Sequence, residues 1–161
     1  MNVIFLDYDG VVNNIIWDPE RGRADYSHPH RGKVNNWQAV QWLSEFCQTH
    51  DYKIVVTSTW RLHPNYKECL IAGGLRDGIE ILGRVGRLEN GRGAEIMEYL
   101  DKHPEIEKWL VLDDEDCSEG HPEIAERQVL CLTNGGFNLE EFELAKKLHQ
   151  QQLAPQSTNP K

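Results

Sequence analysis

No apolar run in this chain approaches the roughly 18 residues that a helix needs to cross a bilayer, so no membrane partner is expected. The first residues lack a basic-then-apolar leader, and no secretory signal is read there. Basic residues are few: 17 Lys and Arg stand against 26 Asp and Glu, a net charge of -9. A surface of that sign repels nucleic acid and anionic lipid in general, so any phosphate it binds needs a local cation or a metal. Cysteine is sparse and unpaired in pattern. Cys47, Cys69, Cys117 and Cys131 show neither Cys-x-x-Cys spacing nor a His at zinc-finger distance, and read as reduced thiols of a cytoplasmic protein. Internal repeats and a dividing linker are missing too, so one domain over residues 1–152 is expected, with a flexible tail at 153–161.

Against these absences, one stretch carries most of the information. The apolar run Val3 to Leu6 ends in Asp7-Tyr8-Asp9-Gly10. The run is short and β-rich, as a buried strand would be. Two carboxylates this close at the end of a buried strand repel each other unless a counter-charge joins them, and a divalent cation would do so. Gly10 permits a sharp turn immediately after the pair. Taken alone, an Asp-x-Asp is as well explained by a strand stopping at an Asx-rich turn.

Downstream, Val11 to Trp17 and Arg23 to Tyr26 flank Asp18-Pro19-Glu20-Arg21-Gly22, the pattern of a hairpin whose tip would project over the carboxylates. Arg21, Arg23, Arg31, Lys33, His28 and His30 give this segment a local basic character; a solvated loop explains them equally. Val34, Trp37, Val40, Leu43 and Phe46 mark one face of a helix over 34–49. Ile54 to Val56 is a second buried strand that ends in Thr57 and Ser58, suited to an oxyanion but equally an ordinary helix cap. A short helix over 65–72 stopped by Gly73-Gly74, a strand at Ile79–Leu82, and a helix from Ala94 broken at His103-Pro104 follow. Arg92 stands at the start of that helix, where a cation opposes the dipole and reads as functional. Trp109 to Leu112 is a third apolar strand, delivering Asp113 and Asp114. A last strand at 128–132 and a helix carrying Leu139, Phe142, Leu144, Ala145 and Leu148 complete the chain.

Strands alternating with helices imply an α/β, three-layer Rossmann-like parallel sheet of about five strands. Ligands of such sheets bind beyond the carboxyl ends of the strands, where the strand order switches. Asp7 and Asp9, Thr57 and Ser58, and Asp113 and Asp114 all fall there. Together with Arg92 they supply hard oxygen ligands for Mg²⁺, a carboxylate nucleophile, hydroxyl donors and a guanidinium, the parts phosphoryl transfer requires.

Asp7-Tyr8-Asp9-Gly10-Val11-Val12, Val56-Thr57-Ser58, Arg92 before a helix and Leu112-Asp113-Asp114 resemble the four ordered motifs of the haloacid dehalogenase (HAD) superfamily, over residues 2–134. Thr57-Ser58-Thr59-Trp60-Arg61 and Arg92-Gly93-Ala94-Glu95-Ile96 further resemble a small uncapped HAD group whose relatives include domains of multi-domain RNA-repair proteins. The resemblance implies that Asp7 is the nucleophile and Asp9 the acid/base. It implies Mg²⁺ held by Asp7, the Asp9 backbone carbonyl and Asp114, with Asp113 direct or through water. Thr57, Ser58 and Arg92 are implied as phosphate-binding groups. Arg92 departs from the pattern, which usually has Lys there, and Lys102 is the rival.

Dehalogenases of the superfamily lack the second Asp, so Asp9 favours phosphate-ester hydrolysis. Neither segment between motifs is long enough for a large cap domain, leaving a hairpin flap at most. An open site suits a nucleotide or polynucleotide end or a phosphoprotein, or else a small metabolite enclosed by another subunit. Trp17, Arg21, Arg23, Trp60 and Arg61 are candidates to stack on or pair with a nucleotide end, although such residues more often serve packing and surface. A non-catalytic, Asp-phosphorylated signalling domain is the competing reading.

Overall fold

Alternate side chains of the first strand face opposite helical layers. Val3 and Phe5 pack with Val55, Val111, Ile96 and Ile124, while Ile4 and Leu6 pack with Ile54, Val56, Leu112, Val40 and Ala145. Strands read as near-continuous apolar runs because each must fill a core on both faces. The computed structural model describes residues 1–13, 17–18, 23–24, 37–87, 90–132 and 136–154, with backbone alone at 17–18 and 23–24.

The elements run β1 (Asn2–Leu6), β2 (Trp17–Asp18), β3 (Arg23–Ala24), α1 (Trp37–His50), β4 (Tyr52–Val56), a 3-10 turn (Thr59–Leu62), α2 (Tyr66–Ala72), β5 (Ile81–Arg84), α3 (Gly91–Lys102), β6 (Lys108–Asp113), α4 (Pro122–Ala125), β7 (Gln128–Leu130) and α5 (Leu139–Leu153). β5-β4-β1-β6-β7 form one five-stranded sheet, and every pairing in it is parallel. Helices α1, α2 and α5 contribute to the core on one face, α3 and α4 to that on the other. β1 is central, with β4 on one side and β6 on the other, so the order switches at the end of β1. This is the expected α/β, Rossmann-like architecture.

β2 pairs antiparallel with β3, Trp17 opposite Ala24 and Asp18 opposite Arg23. The expected hairpin is therefore present but short. Its tip and the basic residues Arg21, His28, His30, Arg31 and Lys33 lie outside the described residues, as do the side chains of Trp17 and Arg23. Between β4 and α3 stand only the 3-10 turn, α2 and β5, so no large cap appears among the described residues.

Several boundaries differ from expectation. Trp37 opens α1 but is 62% exposed, whereas Val40, Leu43 and Phe46 are buried as the period requires. The strand expected at 79–82 runs from Ile81 to Arg84, and β7 stops at Leu130, leaving Leu132 exposed. The 3-10 turn and α4 are too short to register as periodicity. α5 includes Leu153, and residues 155–161 of the expected tail lie outside the described residues. Among the described residues no helix is long and apolar enough to cross a membrane.

Candidate functional site

Backbone ladders carry the three polar tips to one level. The Asp7 N–H donates to the Leu112 carbonyl over 3.0 Å and the Thr57 N–H to the Leu6 carbonyl over 2.9 Å, continuing the parallel pattern just past β1. On the far side, the Cys131 N–H donates to the Asp113 carbonyl over 2.8 Å. Asp7, Thr57, Ser58 and Asp113 are all buried.

One carboxylate oxygen from each of Asp7, Asp113 and Asp114 falls within a single group, all within 4.8 Å of one another. Gly10 makes this possible. Its φ is +76°, and a Cβ there would fall on the Asp114 carboxylate. The positive φ and the missing side chain thus serve one purpose, letting the loop after β6 close on the loop after β1.

Arg92 supplies the only cation found against these carboxylates among the described residues. Its Nη1 lies 2.6 and 2.5 Å from the two oxygens of Asp113 and 3.2 Å from Asp7 Oδ2. Gly93 places it: a Cβ at Gly93 would fall on the Cys117 carbonyl, so α3 can dock its first turn against the loop after β6. The cation that opposes the helix dipole is thus compensated by two buried carboxylates. Burial works against the charge of Arg92, but Asp7 and Asp113 outweigh it and hold its pKa above the ordinary value. Lys102, at the other end of α3, pairs with Glu98 over 2.8 Å on the surface and takes no part.

Three acidic groups against one guanidinium leave negative charge in excess. Burial raises the pKa of Asp7, opposed by Arg92 and by a hydrogen bond from the Ser58 hydroxyl. Burial and then the neighbouring Asp7 push Asp113 up to about 6, and burial and Asp7 raise Asp114. An all-oxygen donor set carrying surplus charge fits a hard divalent cation such as Mg²⁺.

Asp9 stands apart from that group. Its Oδ1 accepts from Asn13 Nδ2 over 3.1 Å and its Oδ2 from Trp60 Nε1 over 2.9 Å. The Asp9 side chain is thus turned toward other donors, which is compatible with only its main-chain carbonyl serving a metal. Thr57 Oγ1 is buried with no hydrogen-bond partner among the described residues. An orphaned hydroxyl beside a cluster of carboxylates and an arginine is a donor awaiting an acceptor. Ser58 meets its reading as a cap, since its Oγ accepts from the Trp60 N–H over 3.3 Å at the start of the 3-10 turn.

Arg61 follows the packing reading. It is buried and paired with Glu95 rather than exposed for a nucleotide end, because its guanidinium turns inward beneath Thr57. Trp60 likewise gives its N–H to Asp9 and packs its ring on Tyr8, with centroids 6.0 Å apart. Sequence reasoning missed the hydrogen bonds of Trp60 and Asn13 to Asp9 and the Arg61–Glu95 pair. The available signal was that Trp60 and Arg61 directly follow Thr57-Ser58, and that Glu95 lies one turn beyond Arg92.

A family model described as the HAD domain in Swiss Army Knife RNA repair proteins matches residues 3–142. No curated protein and no solved structure matches the chain.

Proposed function

The chain belongs to the family of HAD domains found in Swiss Army Knife RNA repair proteins, and from that premise we propose that it is a Mg²⁺-dependent phosphomonoesterase working through an aspartyl-phosphate on Asp7. The observation that carries the proposal is the convergence of Asp7, Asp113 and Asp114 within 4.8 Å, with Arg92 3.2 Å from Asp7. Asp7, Asp114 and the Asp9 main-chain carbonyl would hold Mg²⁺, and Asp113, already shared with Arg92, would complete the set from behind. Bound there, Mg²⁺ neutralises charge on the phosphoryl oxygens and on the nucleophile.

The chain's own groups then divide the chemistry in two. A carboxylate oxygen of Asp7 attacks phosphorus as the ester P–O bond breaks, and Asp9 gives its proton to the departing oxygen. Asp9, now a carboxylate, takes a proton from water. The water oxygen attacks phosphorus, the bond to Asp7 breaks, and inorganic phosphate leaves. Thr57 Oγ1 and Arg92 hold the phosphoryl oxygens through both steps, with Ser58 bonded to Asp7 behind them.

The absence of a large cap among the described residues favours a phosphate on a macromolecule, with a nucleotide or polynucleotide end foremost given the family's association with RNA repair. No disulfide joins Cys47, Cys69, Cys117 or Cys131, which supports a cytoplasmic setting. We take residues 1–152 as one catalytic domain.

Steady turnover of p-nitrophenyl phosphate with Mg²⁺ tests the proposal. Asp7→Asn should lower kcat by roughly 10⁴ or more, as nucleophile deletions do. A wild-type chain that is phosphorylated on Asp7 but does not turn over would instead establish the signalling-domain reading. A panel of phosphorylated nucleotides, oligonucleotide 3′ and 5′ ends, peptides and sugars then separates the substrates.

A further inference from the structure

Arg61 and Glu95 belong to the two strings around Thr57 and Arg92, and the chemistry above uses neither. Both are buried, at 6% and 4% exposure. Arg61 Nη2 lies 2.8 Å from each oxygen of Glu95, and its Nη1 donates to the Thr57 carbonyl. The same Nη2 reaches toward the Gly86 carbonyl at 3.5 Å, and Arg84 Nη1 donates to the Arg61 carbonyl. Glu95 lies three residues beyond Arg92 on α3, hence one turn along the same face of the helix. Polar contacts therefore run from Thr57 through Arg61 to Glu95, and the backbone of α3 carries the link on to the turn that presents Arg92 to Asp7 and Asp113.

We propose that Arg61 and Glu95 are positioning residues for the phosphoryl site: their ion pair ties the tip of β4 to α3 one turn beyond Arg92 and so sets the spacing between Thr57 and Arg92. The inference rests on the phosphatase reading for its purpose, though not for its geometry. Thr57 and Arg92 come from different segments that share no strand ladder, since the 3-10 turn, α2 and β5 lie between the end of β4 and the start of α3. A phosphoryl group needs both at fixed separation, and small misplacements of such groups are costly. Filling the space does not explain the pair. Buried ion pairs are seldom better than apolar residues of similar volume, and Arg61 Nε is left without a partner among the described residues. A planar fork does offer what an apolar pair cannot, a directional bond to the Thr57 carbonyl and a two-point grip on Glu95.

The test uses the full chain with Mg²⁺ and three readings: p-nitrophenyl phosphate turnover, competitive inhibition by inorganic phosphate, and Mg²⁺ affinity by calorimetry. The double variant Arg61→Met/Glu95→Leu removes both charges together, so no unpaired charge is left buried. It should fold, bind phosphate about tenfold more weakly, and lose on the order of 10²-fold in kcat/KM, while Mg²⁺ affinity does not fall. Arg61→Lys keeps the charge opposite Glu95 but loses one arm of the fork, and should show the same split in smaller measure. It carries the decision if the double variant does not fold. Wild-type phosphate affinity in a folded variant, or parallel losses of phosphate and Mg²⁺ affinity, would overturn the positioning role. If the wild-type chain itself fails to turn over the ester, the phosphatase reading falls, and phosphate affinity measured directly by calorimetry still decides whether the pair positions an anion site.

Discussion

Trp60 donates its indole N–H to Asp9 Oδ2 across 2.9 Å, from a residue on a different loop. An indole nitrogen donates and never accepts. That oxygen of Asp9 is therefore an acceptor toward Trp60 in every protonation state, and a proton carried by Asp9 must point elsewhere. Asn13 Nδ2, 3.1 Å from Oδ1, steadies the other oxygen. The carboxyl group is thus aimed as well as placed.

Trp60→Phe keeps a ring against Tyr8 and removes only the donor. Its kcat for p-nitrophenyl phosphate should fall about tenfold, the usual scale for losing an orienting hydrogen bond, with KM and melting temperature nearly unchanged. An unchanged kcat would show that the bond is dispensable to the chemistry.

Asp9→Asn separates the two half-reactions. Asparagine neither protonates the leaving group nor takes a proton from water, so turnover should drop roughly 10²- to 10⁴-fold. With an activated ester, whose leaving group needs no proton, acid-quenched samples should retain phosphate on Asp7. Free release of phosphate at the wild-type rate would remove Asp9 from its role.

Gly10→Ala puts a methyl group where the Asp114 carboxylate sits, at a φ of +76° that a side chain rarely adopts. A loss of about 1–2 kcal/mol in stability is expected from the backbone conformation alone. Because Asp114 must also move away, Mg²⁺ affinity measured by calorimetry should fall by more than the global stability change predicts. Retained Mg²⁺ affinity would place the ion away from Asp114.

Metal and pH should be linked in a fixed direction. Asp7, Asp113 and Asp114 all have raised pKa values, Asp113 to about 6, so the folded chain binds protons more tightly there than the unfolded one. Their contribution is present below the ordinary carboxylate range and is lost as pH rises toward 6. His50 and His149, both lowered by burial, pull the opposite way. The quantity to read is therefore the gain in melting temperature on adding Mg²⁺. It should grow between pH 5 and about pH 7, as the carboxylates become free to bind the ion. A gain independent of pH across that window would argue against these three ligands.

Much of this was legible beforehand because burial on both faces leaves strong marks. Val3–Leu6, Ile54–Val56 and Trp109–Leu112 read as strands from their unbroken apolar runs, and the polar residues ending them marked the edge where Asp7, Asp113 and Asp114 converge. Arg92 was legible as an anomaly, a cation at the wrong end of a helix. The two glycines beside the site were only partly so: Gly10 announced a turn, but its clearance for Asp114 depends on a residue far along the chain. The same holds for Trp60 with Asp9 and Arg61 with Glu95, since neither periodicity nor composition records which distant side chains meet. Trp37 misled for a related reason, since a helical period cannot say whether anything covers the first turn.

The place of β1 in the middle of the sheet has a consequence for synthesis. It comes first in chain order among the strands of this sheet, yet its neighbours begin at Tyr52 and Lys108. Until both have left the ribosome, Val3 to Leu6 carry at least one unsatisfied edge, and pairing at such sequence separation is slow. A nascent chain lacking β6 therefore holds Asp7 without Asp113 or Asp114. Magnesium uptake would then report the moment the last central strand docks, making the ion a timer of maturation.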